Sequence, residues 1–147
     1  MDIQELAGRV QAIEDAEAVK KLHQKYMDLM DDLRYEEVLD LFTEDASIEV
    51  RDSGVKRGPE ERRKLYLGMG DMKKGVKDNC HMAIHPDISV SGDTATGTWL
   101  VYMLYEDPEG AWVQGRNEVD YRKEHGVWKI HRLKFTRTLA SRPDMYP

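Results

Sequence analysis

His81 opens a strand-like segment, Cys80–Ser91, in which Cys80, Met82, Ile84, Ile88 and Val90 share one face and His81, Ala83 and His85 the other. An imidazole titrates near neutrality and can take a proton as a general base. Arg137 lies on the last strand-like segment, in phase with Leu133 and Phe135. A guanidinium aimed inward must meet an anion or strong acceptors, because it cannot neutralise itself. Tyr26 sits on the apolar stripe of the first helical segment, and Asp31 follows five residues later. A phenol can donate to a developing negative charge, and a carboxylate can orient an imidazole. Each residue also has a plain alternative. The histidines could be surface residues or satisfied core residues, Arg137 could lie beyond the sheet edge, Tyr26 could be a core aromatic and Asp31 a helix cap.

Other chemistry-bearing residues carry less. His23, His125 and His131 show no ligand spacing, and a catalytic zinc wants about three protein ligands, so no metal is expected. With Cys80 the only cysteine, an internal disulfide is excluded. Met27, Met30, Met69, Met72, Met82 and Met103 read as adaptable packing around an apolar ligand. Lys73, Lys74 and Lys77 read as solvated, and Gly68, Gly70 and Gly75 form no phosphate-binding pattern.

The elements that must position these residues come helices first. Leu6, Val10, Ile13, Val19, Leu22, Tyr26, Leu29, Met30 and Leu33 recur at helical steps, with one longer gap around Ala16, and predict a helix from about Asp2 to Asp32. Tyr26 and Asp31 would stand roughly 140° apart on a straight helix. The chain must therefore bend or end near Asp31 for both to enter one pocket. Asp31-Asp32 would cap a short second helix carrying Tyr35, Val38, Leu39 and Phe42, closed by Thr43-Glu44-Asp45. Ser47–Val50 reads as a first strand, and Gly58-Pro59 opens a third helix that gives way to a loop from Gly68 to Gly75.

From Asn79 the period becomes two. Four strands follow, Cys80–Ser91, Thr94–Glu106, Ala111–Lys123 and Val127–Leu139. Their separators, Gly92-Asp93, Pro108-Glu109-Gly110 and His125-Gly126, are short turns that join antiparallel neighbours. In the last strand Trp128 and Ile130 are out of phase with Leu133 and Phe135, which predicts a bulge near His131. The fold class is α+β, with about three helices on one face of a curved, mainly antiparallel sheet.

The 147 residues fit one domain, spanning 1–147. With 40% hydrophobic and 34% charged residues the chain is globular, and no apolar run is long enough for a membrane span. The acidic first segment lacks the features of a secretory signal, so a cytoplasmic location is expected. A net charge of −6 argues against a nucleic-acid partner. Trp99, Val101 and Met103 on one face of a strand, with Leu100, Tyr102 and Leu104 on the other, leave a second apolar face that predicts a homo-oligomer.

The order of these features, with "LFTEDA", "HMAIHPDISVSGDTATGTW" and "EHGVWKIHRLKFTR", resembles the SnoaL-like branch of the nuclear transport factor 2-like superfamily over nearly the whole chain. Within it the similarity runs toward bile-acid dehydratase, scytalone dehydratase and lindane dehydrochlorinase. The resemblance implies a cone with an apolar pocket at its open end. It implies a cofactor-independent dehydratase acting on a hydrophobic cyclic small molecule, in a trimer or a dimer. Tyr26, Asp31, His81 and Arg137 would form the catalytic set, and His85, Trp99, Tyr121 and Phe135 would line the substrate. Family members that isomerise, cyclise or only bind ligands mark the alternatives.

Overall fold

A computed structural model describes residues 1–72, 79–106 and 110–142. Helix α1 (Ile3–Asp31) begins where Asp2 Oδ1 accepts the Glu5 backbone N–H at 2.7 Å, a side-chain N-cap. It ends at Asp31, so the break expected near that residue is present, and Leu33 then adopts a left-handed φ of 58°. Helix α2 (Tyr35–Leu39) follows with Arg34 as its N-cap and no side-chain capping bond. The Asp31-Asp32 pair therefore does not cap it; Asp31 is engaged elsewhere.

Strand β1 spans Phe42–Val50, so the Phe42–Asp45 stretch read as a helix end is strand. A short strand β2 (Val55–Arg57), absent from the periodicity reading, pairs with it. Helix α3 (Gly58–Met72) runs through Gly68 and Gly70, where a loop was expected. Lys73, Lys74, Gly75 and Lys77 lie outside the described residues.

The four long strands agree with the period-two reading to within one residue at their described ends: β3 (Asn79–Ser91), β4 (Thr94–Tyr105), β5 (Trp112–Glu124) and β6 (Val127–Ala140). At the β5–β6 turn His125 and Gly126 both have positive φ, 52° and 78°, which suits the right-handed twist of a tight hairpin. The sheet order is β2-β1-β6-β5-β4-β3. All pairs are antiparallel except β1 with β6, which local turn chemistry could not reveal because the chain between them includes α3 and four strands. The bulge at His131 is present: Asp120 faces Arg132 while Tyr121 faces Ile130.

The helices cover one face of this sheet. Val19, Tyr26, Met27, Leu29 and Met30 of α1 share a core with Trp99, Val101, Met103, Val113, Val119, Tyr121, Ile130, Leu133 and Phe135 of the sheet. No described helix is long and apolar enough to cross a membrane. Arg62 ties α3 to β1. It is 3% exposed, and its guanidinium donates to the carbonyls of Ala46 at 2.6 Å, Thr43 at 3.0 Å and Glu44 at 3.1 and 3.2 Å. Arg62→Ala would strand those carbonyls, each at a cost of about 1–3 kcal/mol if water cannot replace the donor. The expected result is a loss of about 2–4 kcal/mol and a thermal midpoint lowered by about 10 °C; an unchanged melt would refute the role.

Candidate active site

Asp31 is the last residue of α1, and His81 is the third residue of β3. The helix end lies against this strand. Asp31 Oδ1 accepts two bonds from one residue, the His81 backbone N–H at 2.7 Å and the ring Nδ1 at 2.6 Å. The double contact fixes the ring relative to the carboxylate. An Nδ1 that donates to a carboxylate carries the ring proton, so a neutral His81 presents a lone pair on Nε2. The His81 side chain is 9% exposed and the Asp31 side chain 28%. Within the described residues, Asp31 is the sole hydrogen-bond partner of the His81 ring.

Tyr26 lies on the buried side of α1, one and a half turns before Asp31. Its hydroxyl is 3.0 Å from that of Tyr66 on α3. Burial pushes the Tyr26 phenol up to about 12, and burial with the neighbouring Tyr26 holds Tyr66 well above the usual tyrosine value. Both therefore stay protonated at neutral pH. One phenol donates to the other, and the acceptor's own O–H remains to be given onward. Tyr66 lies on the buried side of α3 and carries no motif that marks it as chemistry. The signal available was general: a buried tyrosine needs a partner for its hydroxyl.

Arg137 lies on the inner face. His81 pairs with Met103 and Met103 with Val113; two residues along β5, Gly115 pairs with Arg137. Alternation then places His81 and Arg137 on the same side of the sheet, one pleat apart in level. Gly115 leaves room on this face for the Phe135 ring, which a Cβ there would meet at 2.2 Å. Among the described residues Arg137 Nη1 is buried without a hydrogen-bond partner. Among the described residues Arg137 makes no ion pair with Asp31, whose Oδ1 is engaged by His81.

His85 does not reach the interior. It is exposed, at a positive φ of 51°, in a bulge where Ile84 faces Leu100 and Asp87 faces Thr98. The extra residue at His85-Pro86 reverses the strand's phase, so Ile88 and Val90 pack on the core beyond it. Trp99, Tyr121 and Phe135 are buried on the inner face.

His23, set aside in the sequence, proves fully buried. Its ring stacks on Trp99 at 4.5 Å, and its nitrogens lie 2.9 Å from the Tyr121 hydroxyl and 3.3 Å from Asn117 Nδ2. Trp99 Nε1–H donates to the same Tyr121 oxygen at 3.0 Å. Burial lowers the His23 pKa from 6.5 to about 3. Above about pH 6.5 the ring is neutral in folded and unfolded chains alike and adds no pH dependence. Between 6.5 and 3 the unfolded chain takes a proton that the folded one refuses, so stability falls as pH falls, by up to about 1.4 kcal/mol per pH unit. The denaturant midpoint should therefore drop on acidification from pH 6.5 to 4.5, and less steeply in His23→Gln. Parallel pH curves for the two proteins would contradict this.

A separate cleft of about 390 Å³ lies outside this region, lined by Leu39, Phe42, Pro59, Arg62, Arg63 and Lys129 among others. It contains none of Tyr26, Asp31, His81 or Arg137. Among the described residues no three His, Cys, Asp or Glu side chains are grouped to hold a metal ion.

Known structures share this architecture. An NTF2-like protein with a cystatin-like fold from Novosphingobium aromaticivorans superposes with a TM-score of 0.79 at 22% identity, over 91% of this chain and 88% of that one. A scytalone dehydratase-like protein from the same organism gives 0.77 at 20% identity, over 88% and 87%. A hexachlorocyclohexane dehydrochlorinase from Novosphingobium barchaimii gives 0.70 at 22% identity, over 96% and 93%. At such identities the likeness speaks for the fold. No curated protein sequence matches the chain. The family model of the SnoaL-like domain matches residues 11–134, a span that includes Tyr26, Asp31 and His81 and ends before Arg137. The chain belongs to the SnoaL-like family, with the NTF2-like cone as its fold.

Proposed function

We propose that the protein is a cofactor-independent acid–base lyase that eliminates water from a hydrophobic, cyclic small molecule. The observation that carries this reading is the Asp31–His81 pair, which leaves one imidazole nitrogen as a base on a largely dry inner face. His81 Nε2 takes a proton from the carbon next to an activating carbonyl. The electrons of that C–H bond move into an enolate and then into a carbon–carbon double bond as the C–O bond to the hydroxyl breaks. The proton held by His81 leaves with the hydroxide as water. Asp31 stabilises the imidazolium that exists between these steps. The Tyr26–Tyr66 pair supplies a neutral O–H to the developing oxyanion or leaving group, and Arg137 holds a carboxylate or carbonyl oxygen.

The motif resemblance to bile-acid dehydratase supports this assignment, as do the names of two structural neighbours, a scytalone dehydratase-like protein and a dehydrochlorinase. Isomerisation would use the same proton abstraction but return the proton to carbon. Mass analysis of the product separates the two reactions: loss of water supports the lyase, and an unchanged mass refutes it. Asp31→Asn removes the charge behind the imidazolium, and kcat is expected to fall about 10²- to 10⁴-fold. Steady-state rates at saturating substrate check this; a loss under tenfold would contradict it. We further propose a homo-oligomer, trimer or dimer, that covers the outer sheet face, where Met82, Ile84 and Leu104 are 39%, 40% and 42% exposed.

A further inference from the structure

Helix α1 has two apolar sides. After Ala16 its apolar residues, with Val19, Tyr26, Met27 and Met30 among them, face the core. Before Ala16 every residue from 1 to 14 is exposed, yet Ile3, Leu6, Val10 and Ile13 still form a stripe, 85%, 51%, 46% and 66% exposed. At 100° per residue this front stripe and the rear one stand roughly 160° apart around the helix axis. The longer gap around Ala16 is the point where the apolar side changes. The front stripe therefore faces away from the side that the protein's own core covers. A helical segment of this length without packing is marginal in water, so the stripe calls for a partner.

The spacing of the four residues, three-four-three, is that of a and d positions in a coiled coil. Ile3 and Val10 occupy a, and Leu6 and Ile13 occupy d; the first heptad, with β-branched Ile3 at a and Leu6 at d, is of the two-stranded type. Charge then sets the direction. Arg9 falls at g, and Glu14 at e of the following heptad, the two positions that meet between parallel strands in register. In two copies this gives a pair of Arg9–Glu14 contacts, one on each side of the seam. Arg9 is free to make it, since its one hydrogen bond among the described residues goes to the Met1 sulfur at 3.5 Å.

We infer that residues 3–14 of α1 pair with the same residues of a second copy as a parallel, two-stranded coiled coil. This contact is distinct from the outer sheet face and independent of the proposed reaction.

Cysteine cross-linking tests it in the full chain, in a Cys80→Ser background that removes the one native thiol. Leu6→Cys, at a d position, should oxidise to a covalent dimer of twice the 17.0 kDa chain mass. Gly8→Cys, on the opposite side of the same turn, is the collision control and should link at least tenfold less. Adding Arg9→Glu or Glu14→Arg to Leu6→Cys should slow linking at least fivefold, and both together should restore it. Linking of Leu6→Cys no faster than of Gly8→Cys would overturn the inference. So would indifference to the charge changes, or self-linking replaced by linking between Ile3→Cys and Ile13→Cys chains, the antiparallel pattern.

Discussion

Replacing His81 by alanine is expected to reduce turnover by about 10²- to 10⁴-fold while the thermal midpoint stays within a few degrees. The rate falls because no other group among the described residues presents a free base beside Asp31. The fold tolerates the change for a local reason. Asp31 keeps the His81 backbone N–H at 2.7 Å, and its side chain is 28% exposed, so no buried charge is left alone. Paired measurement of kcat and of the melting curve separates this from a structural role. A variant that retains the parent rate removes the mechanism.

Arg137→Met is the second large effect, and its signature is opposite in kind. A buried guanidinium nitrogen without a partner costs stability, so methionine of similar length should leave the thermal midpoint unchanged or raise it. Activity should still fall. One hydrogen bond from a charged donor to substrate is worth about 1.5–3 kcal/mol, which corresponds to a loss of roughly 10- to 150-fold in kcat/KM. The loss should fall mainly on KM for substrates that carry a carboxylate or carbonyl. A variant that loses stability together with activity would mark Arg137 as a structural residue like Arg62, which donates to three carbonyls in its own fold.

The two substitutions also show where sequence reasoning reached. The strands that carry His81 and Arg137 were legible because their partners are neighbours in the chain, joined by tight turns, and the slip at His131 showed in the phase of Trp128 and Ile130 against Leu133 and Phe135. Strand β1 was legible only in its second half, Ser47–Val50. Phe42 to Asp45 has no local strand pattern, and its pairing partner, β6, lies at the far end of the chain. Asp31 showed the same limit. Locally it reads as a cap, and only the fold brings the residue fifty positions later against it. His85 was placed by alternation that its own neighbour Pro86 interrupts, and the bulge turned it outward. Tyr66 and His23 were missed as chemistry because each lies on an apolar stripe, where its polar atoms leave no mark on periodicity. The two-sided nature of α1 was present in the sequence as a gap at Ala16, and exposure of Ile3, Leu6, Val10 and Ile13 gives that gap its meaning.

The most direct measurement is the protonation of the His81 ring, read by nitrogen NMR of the labelled protein at neutral pH with His81→Gln for assignment. The account predicts a proton on Nδ1, hydrogen-bonded to Asp31, and a bare Nε2. A neutral ring carrying its proton on Nε2 would contradict it, because that nitrogen could then accept nothing from a substrate.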